Sequence, residues 1–283
     1  MRKTTLYGRR IRGDIGPLNI DPVRRLMSRI IAPAVSLTGV YQDYDEEDVT
    51  QNFTIGSRMQ VDDRVYYYSE CNGAIAYPNQ FRLAVSTDQI LAVNDMISTT
   101  ATTIVGRTVT LGTGGFQGDA VPADDLAGGW VECNAAGIYA WRRIVSNTVA
   151  AGALVTITVD RPFGQIFAIG SQFSVHKSPY KAVTDPATAA LVGFAAAVGL
   201  APIEVDIDYF FWLQTYGPCF IGPTGAWPLS VANQIDVYYH QDGTTNSLVG
   251  EYAAGAQPSP QRIGRAMGSG NYGSGAVFLE ISA

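Results

Sequence analysis

The sequence predicts a mainly β protein: a β-sandwich or barrel body with a basic N-terminal arm that carries one short amphipathic helix. Segments rich in Val, Ile, Thr and aromatic residues recur roughly every 8–12 residues between 101 and 184, with turn residues between them. Turn formers are abundant, with 30 Gly and 14 Pro in 283 residues. From Tyr209 to the end, short apolar runs and turns alternate without a helical period.

Residues 1–40 read as the arm. Asp21 suits a helix N-cap and Pro22 the first helical position, and Val23, Leu26, Met27 and Ile30 then fall at i, i+3, i+4 and i+7. Arg24, Arg25, Ser28 and Arg29 take the opposite face, and Pro33 ends the helix. A helix of about 11 residues is marginal alone, so it is expected to order on docking.

Residues 41–100 read as a β-rich segment with a short helix. The run Asp43 to Asp48 is acidic, but an EF-hand counted from Asp43 needs Gly and Glu where Asp48 and Thr54 stand. A solvated acidic turn, or a patch for the basic arm of another copy, is the expectation. Val49, Phe53 and Ile55, then Val61 and Val65 to Tyr68, predict strands parted by Gly56-Ser57 and Asp62-Asp63. Ser86-Thr87-Asp88-Gln89 has capping-box spacing ahead of Ile90, Leu91 and Val93, which predicts the helix.

Residues 101–200 read as the sandwich or barrel. Strands are expected over Thr102–Leu111, Gly129–Asn134, Ile138–Ser146, Leu154–Val159 and Ile166–Val175, with a hairpin around Ala135-Ala136-Gly137. The Ala-rich stretch Thr188–Val198 fits a helix or a loop into the next strand.

Residues 201–283 read as a C-terminal β module. Tyr209 to Pro218 is an apolar strand expected to break at Gly217-Pro218. Ala276–Ile281 is a final strand whose Val277 and Leu279 are expected to pack beside Phe211 and Leu213. The segments Trp212 to Gly217, Ile263 to Met267 and Ala276 to Ile281 together resemble the C-terminal part of tailed-phage virion proteins, in particular small head-decoration (cement) and accessory capsid proteins. There a Trp-x-Gln-Thr-aromatic-Gly strand precedes a loop-rich β region, an Ile-Gly-x-Ala segment and a last apolar strand. The resemblance covers about a quarter of the chain well and the middle in outline. It implies a virion protein made in the host cytoplasm that binds and stabilises the capsid. The major capsid protein and other copies of itself, as a homotrimer, are the partners it implies.

Composition points the same way. Charged residues are 16% of the chain, below the usual quarter, while apolar residues are 47%. Lys3, Lys177 and Lys181 are the only lysines. A surface so poor in solubilising charge is expected to be partly covered by a partner, and fits an isolated enzyme poorly. Residues 1–30 hold eight basic and two acidic side chains, and the remainder holds 11 basic and 23 acidic. An acidic body with a basic arm predicts that Arg9, Arg10, Arg12, Arg24, Arg25 and Arg29 contact something negative. An acidic capsid surface is the leading choice, and nucleic acid is expected only through this arm. The plainer alternative is a solvated tail.

Three scattered cysteines, Cys71, Cys133 and Cys219, lack metal-ligand spacing and predict buried free thiols. No secretory leader is expected, because the basic N-terminus lacks an apolar run. No membrane span is expected either. The stretch Pro186–Ile203 is short and weakly apolar, and Tyr209–Ile235 is interrupted by Pro218, Pro223 and Pro228.

Catalytic chemistry is not expected, and neither is a cofactor or a metal. His176 and His240 are the only histidines, with no nucleophile motif beside either. The Gly268 to Gly275 run formally holds a dinucleotide fingerprint, yet the eight residues after it are strand-like and supply no helix N-terminus. Gly112 to Gly118 lacks the ending of a P-loop. Glu204, Asp206 and Asp208 alternate with Val205 and Ile207, so a strand would put three carboxylates on one face. A solvent-facing strand edge is the expectation there, with a glycan-processing enzyme the minor alternative. Asn52-Phe53-Thr54 matches a glycosylation acceptor that has no use without a secretory leader. Tyr66, Tyr67, Tyr68, Trp227, Tyr238 and Tyr239 are the interface candidates, since Tyr and Trp bury much area at little entropic cost. Their use as sugar platforms in a tail- or fibre-associated receptor-binding protein is the second functional reading, and with so little charge on the chain interface use is the more economical one.

Overall fold

The structure is a computed structural model. It describes residues 30–31, 42–76, 83–86, 92–112, 121–135, 138–150, 154–185, 196–221, 235–239, 245–246, 261–267 and 276–282. The chain forms two compact units: residues 1–87 with 182–283, and the inserted residues 88–181. Strands before and after the insertion pair with each other in the first of these units.

The outer unit begins with β1 (Ile30–Ile31), β2 (Glu47–Asp48), β3 (Arg58–Val61), β4 (Arg64–Gly73) and β5 (Leu83–Ser86). The inserted unit holds β6 (Ala92–Ile97), β7 (Thr108–Gly112), β8 (Trp130–Ala135), β9 (Ile138–Asn147), β10 (Leu154–Val159) and β11 (Gln172–His176). The outer unit resumes with β12 (Val183–Thr184), β13 (Ala197–Leu200), β14 (Phe210–Phe220), β15 (Asp236–Tyr239), β16 (Thr245–Asn246), β17 (Arg262–Ala266) and β18 (Ala276–Glu280). The mainly β expectation holds, and no helix occurs among the described residues.

Both expected helices lie largely outside the described residues, and only their end residues are described. Ile30, assigned to the arm helix, lies in β1 and pairs with Val61 of β3. Ladder hydrogen bonds to an existing strand suit two adjacent β-branched residues better than a marginal helix does. The rest of the arm lies outside the described residues. Ser86 ends β5 and Val93 lies in β6, so strands occupy both ends of the second expected helix. The Ala-rich stretch enters β13 at Ala197.

In the outer unit, β4, β12, β5, β13 and β14 hydrogen-bond in a closed ring, with β14 returning to β4. Closure removes the free edges that an open sheet would expose. Register places Trp212 opposite Tyr68 and Phe211 opposite Ser69, and Phe211 to Thr215 are all buried. Both faces of β14 are therefore covered, which is why Phe211, Trp212 and Leu213 run apolar without alternation.

One face carries an aromatic cluster of Phe53, Tyr68 and Trp212, with ring centroids 5.0–5.2 Å apart. Its polar atoms are satisfied by buried Gln42. Tyr68 Oη donates to Gln42 Oε1 at 2.8 Å, and Trp212 Nε1 donates to Gln42 O at 3.1 Å. Gln42 Nε2 donates in turn to the carbonyls of Glu46 and Phe210. Asn52 gives its N–H to Tyr68 Oη and its Nδ2 to Asp48 Oδ2. The Thr50 N–H and the Asn52 amide hold the Asp48 carboxyl below its ordinary value. The acidic run is thus a turn that pins one edge of the core, with Glu47 and Asp48 pairing β14 through β2.

Strand β14 does not break at Gly217-Pro218. It bulges between Gln214 and Tyr216, where pairing with β4 ends and pairing with β18 begins. Gly217 sits at φ +95°, and a Cβ there would stand 2.5 Å from Asp63 O. Beyond it, β18, β17, β15 and β16 extend the sheet. A Cβ on Gly264 of β17 would lie 2.1 Å from Phe278 O, so only glycine lets the two strands approach. Val277 and Leu279 are buried with Ile221, Val237 and Ile263. Phe211 and Leu213, their expected neighbours, lie on the half of β14 that pairs with β4.

The inserted unit is a six-stranded sheet in the order β6-β11-β8-β9-β10-β7. Ser98, just after β6, bridges Leu111 of β7 and curls the sheet into a barrel. Alternation fills it: Val109 and Leu111, Val131 and Cys133, Val155, Ile157 and Val159, and Phe173 and Val175 all point inward. Leu154–Val159 and the hairpin of β8 and β9 lie where the sequence puts them. The strands expected over Thr102–Leu111 and Ile166–Val175 are shorter, leaving 99–107 and 160–171 as loops.

Candidate functional site

Among the described residues, ten of the fifteen large apolar side chains exposed to solvent belong to the smaller, inserted unit. Seven of the ten fall into two chemically different groups.

The first is the tip made by loops 99–107 and 160–171. The loops are stitched together through Thr102, whose N–H donates to Phe167 O at 3.0 Å and whose Oγ1 accepts from Phe167 N at 2.8 Å. Gly164 N donates to Ile104 O, and Phe163 N to Gly106 O. Beneath them Phe163, Phe167 and Phe173 pack edge to face. Gly164 and Gly170, at φ +79° and +88°, turn the second loop. Anchored in this way, the loops hold Ile104, Val105, Ile166 and Ile169 outward at 56, 78, 62 and 69% exposure. Arg142 closes the base of the second loop, donating from Nε to Pro162 O at 2.9 Å and from Nη2 to Phe163 O.

The second group lies on the outer face of β11, β8 and β9. Register sets His176, Trp130 and Arg143 in one row and Ser174, Glu132 and Trp141 in the next. Tyr139 follows Trp141 outward, two residues along β9. Trp130, Tyr139 and Trp141 are 42, 64 and 47% exposed. The Trp141 and His176 rings stack at 5.6 Å and 19°, with Glu132 Oε2 3.9 Å from His176 Nε2. Gly129 brings the segment before β8 close to β11, since a Cβ there would stand 2.2 Å from His176 O.

The residues singled out in the sequence lie elsewhere. Tyr66 and Tyr68 are fully buried core residues, so they present no ring to a partner. Tyr66 instead stacks on Tyr44, with the Arg64 guanidinium over both rings. Tyr67 and Tyr238 are half-buried, while Tyr239 is buried with Val237 and Ile263. Trp227 and Arg9, Arg10, Arg12, Arg24, Arg25 and Arg29 lie outside the described residues, as does the Gly268 to Gly275 run. Glu204, Asp206 and Asp208 are exposed, but they do not line one face of a strand. Only Val205 bridges, to Ile75; residues 206–209 turn, with Asp208 at φ 66° and Ile207 also exposed.

No helix of the described residues is long and apolar enough to cross a membrane. The described residues contain no cluster of His, Cys, Asp and Glu able to hold a metal ion. Comparison with known protein families, curated proteins and solved structures finds no match to this chain.

Proposed function

We propose that the chain is a tailed-phage virion structural protein that binds and stabilises the capsid by adhesion, as head-decoration proteins do. The aliphatic tip carries the reading. Four β-branched side chains stand in water on loops whose backbone is already hydrogen-bonded and anchored by three phenylalanines. Such a tip has no chemistry to perform and gains by being covered. Fully burying each side chain contributes roughly 1.5–3 kcal/mol, against the cost of association.

Two further features support it. The segments that resemble decoration proteins lie on β14, β17 and β18, which are neighbours in one sheet. The two glycines of those segments, Gly217 and Gly264, occupy places where a side chain would collide with backbone. In this reading the major capsid protein covers the tip, the basic arm adds salt-sensitive attachment to an acidic surface, and copies associate as trimers.

Cosedimentation with undecorated shells of the major capsid protein tests this. The wild-type chain pellets with the shells, and the double variant Ile104→Asp, Ile166→Asp binds at least about a hundredfold more weakly, since two charges must be desolvated. A wild-type chain left in the supernatant, or a double variant that pellets normally, overturns the reading.

A further inference from the structure

The aromatic face of the inserted unit differs from the tip in kind. At the tip every exposed large side chain is aliphatic. On the face, rings alternate with hydrogen-bonding groups: Trp130 between His176 and Arg143, and Glu132 between Trp141 and Ser174. Trp141 stacks on His176, with centroids 5.6 Å apart and planes at 19°, and still is 47% exposed. The imidazole thus fixes the plane in which the indole is presented. Directly cross-strand positions hold their Cβ atoms about 4.5–5.5 Å apart, which sets the Glu132 carboxylate at the rim of that indole.

We propose that this face is a carbohydrate-binding site, with Trp141 and Trp130 as the stacking platforms, Glu132 as a hydroxyl acceptor and His176 as a positioning residue. A pyranose ring offers C–H groups on its flat face and hydroxyls around its rim. It matches an exposed indole bordered by a carboxylate and other polar side chains, since the apolar face stacks while the rim keeps its hydrogen bonds. A protein partner would ask for something else. Interface cores are depleted of charge, whereas Glu132 sits in the middle of this face, between the two tryptophans. The site does not depend on where in a virion the chain sits, so its test is separate from that of capsid binding.

The full-length chain is run on native gels cast with a soluble β-glucan, an α-glucan, a galactan or a polyuronate. Retardation is expected in at least one. Trp141→Ala and Trp130→Ala each weaken it about tenfold or more. His176→Ala weakens it less, by releasing the indole, and Val145→Ser, farther along β9, leaves it unchanged. If either tryptophan variant has an altered circular dichroism spectrum, Tyr139→Ala and Glu132→Gln, both on the outer surface, replace it and are expected to weaken retardation. Wild-type mobility unchanged in all four gels overturns the proposal, as does retardation that survives the loss of either ring. Tryptophan variants that alter only the association of copies, with no polysaccharide bound, likewise overturn it and identify a protein interface.

Discussion

Trp212→Ala is expected to destabilise the outer unit by about 3–5 kcal/mol, the range for removing a large buried aromatic. Trp212 is among the largest fully buried side chains, and it packs on Phe53 and Tyr68 at the strand that completes the ring. The loss is more than volume. Its Nε1–H serves Gln42 O, and Gln42 also holds Tyr68, Glu46 and Phe210. Trp212→Phe should keep much of the packing and cost less. Tyr68→Phe leaves the buried Asn52 N–H without its side-chain acceptor and should cost about 1–3 kcal/mol. Denaturant midpoints at constant m-value read all three. A Trp212→Ala protein within about 1 kcal/mol of wild type, on the order of an ordinary surface change, contradicts the assignment of this cluster as the core.

Stability is expected to fall steeply in alkali. Burial pushes the Cys71 and Cys133 thiols from 9.0 up to about 12, and does the same to Cys219. It also raises the phenols of Tyr66 and Tyr68 above 10. In the unfolded chain a thiol loses its proton near 9.0; in the folded chain it keeps it until about 12. The folded state therefore binds more protons across that window. The stability is fully present below pH 9 and is lost as the pH climbs towards 12. The slope is up to about 1.4 kcal/mol per pH unit for each fully buried thiol. Cys71 lies in the outer unit and Cys133 in the inserted one, so both should respond. Calorimetry from about pH 7 to about pH 11 should show a flat Tm and then a sharp decline beginning near about pH 9. A Tm that holds level beyond about pH 10 would contradict this burial of the thiols.

Much of the fold is legible because strand alternation is a local signal. Leu154–Val159 could be read directly, with Val155, Ile157 and Val159 inward and the others out. The hairpin of β8 and β9 could be read from its Ala-Ala-Gly turn, and that reading already contains half of the aromatic face. Its register could not be read: a turn over 135–137 would set Glu132 opposite Ala140, whereas β8 runs on to Ala135 and Glu132 faces Trp141. His176 could not be found this way, because β11 reaches β8 through a pairing with no local signature. Alternation also argues against three consecutive tyrosines sharing one surface. Tyr66 and Tyr68 take the side opposite Tyr67 and go into the core. Residues 166–171 of the second loop look like a strand because Ile166, Phe167 and Ile169 are strand formers. The loop's glycines, though, turn the isoleucines outward while the phenylalanines anchor it. The ring closure of β14 on β4 joins residues from the two ends of the outer unit, a non-local choice that no window of sequence contains.

Electron cryo-microscopy of phage particles assembled in cells that express this chain tests the proposed capsid role most directly. The account predicts density for the chain on the head, repeated over the shell, with loops 99–107 and 160–171 seated against capsid subunits and Ile104, Val105, Ile166 and Ile169 buried in the contact. Density confined to the tail, a chain missing from the particle, or a head-bound chain whose tip faces solvent would contradict it.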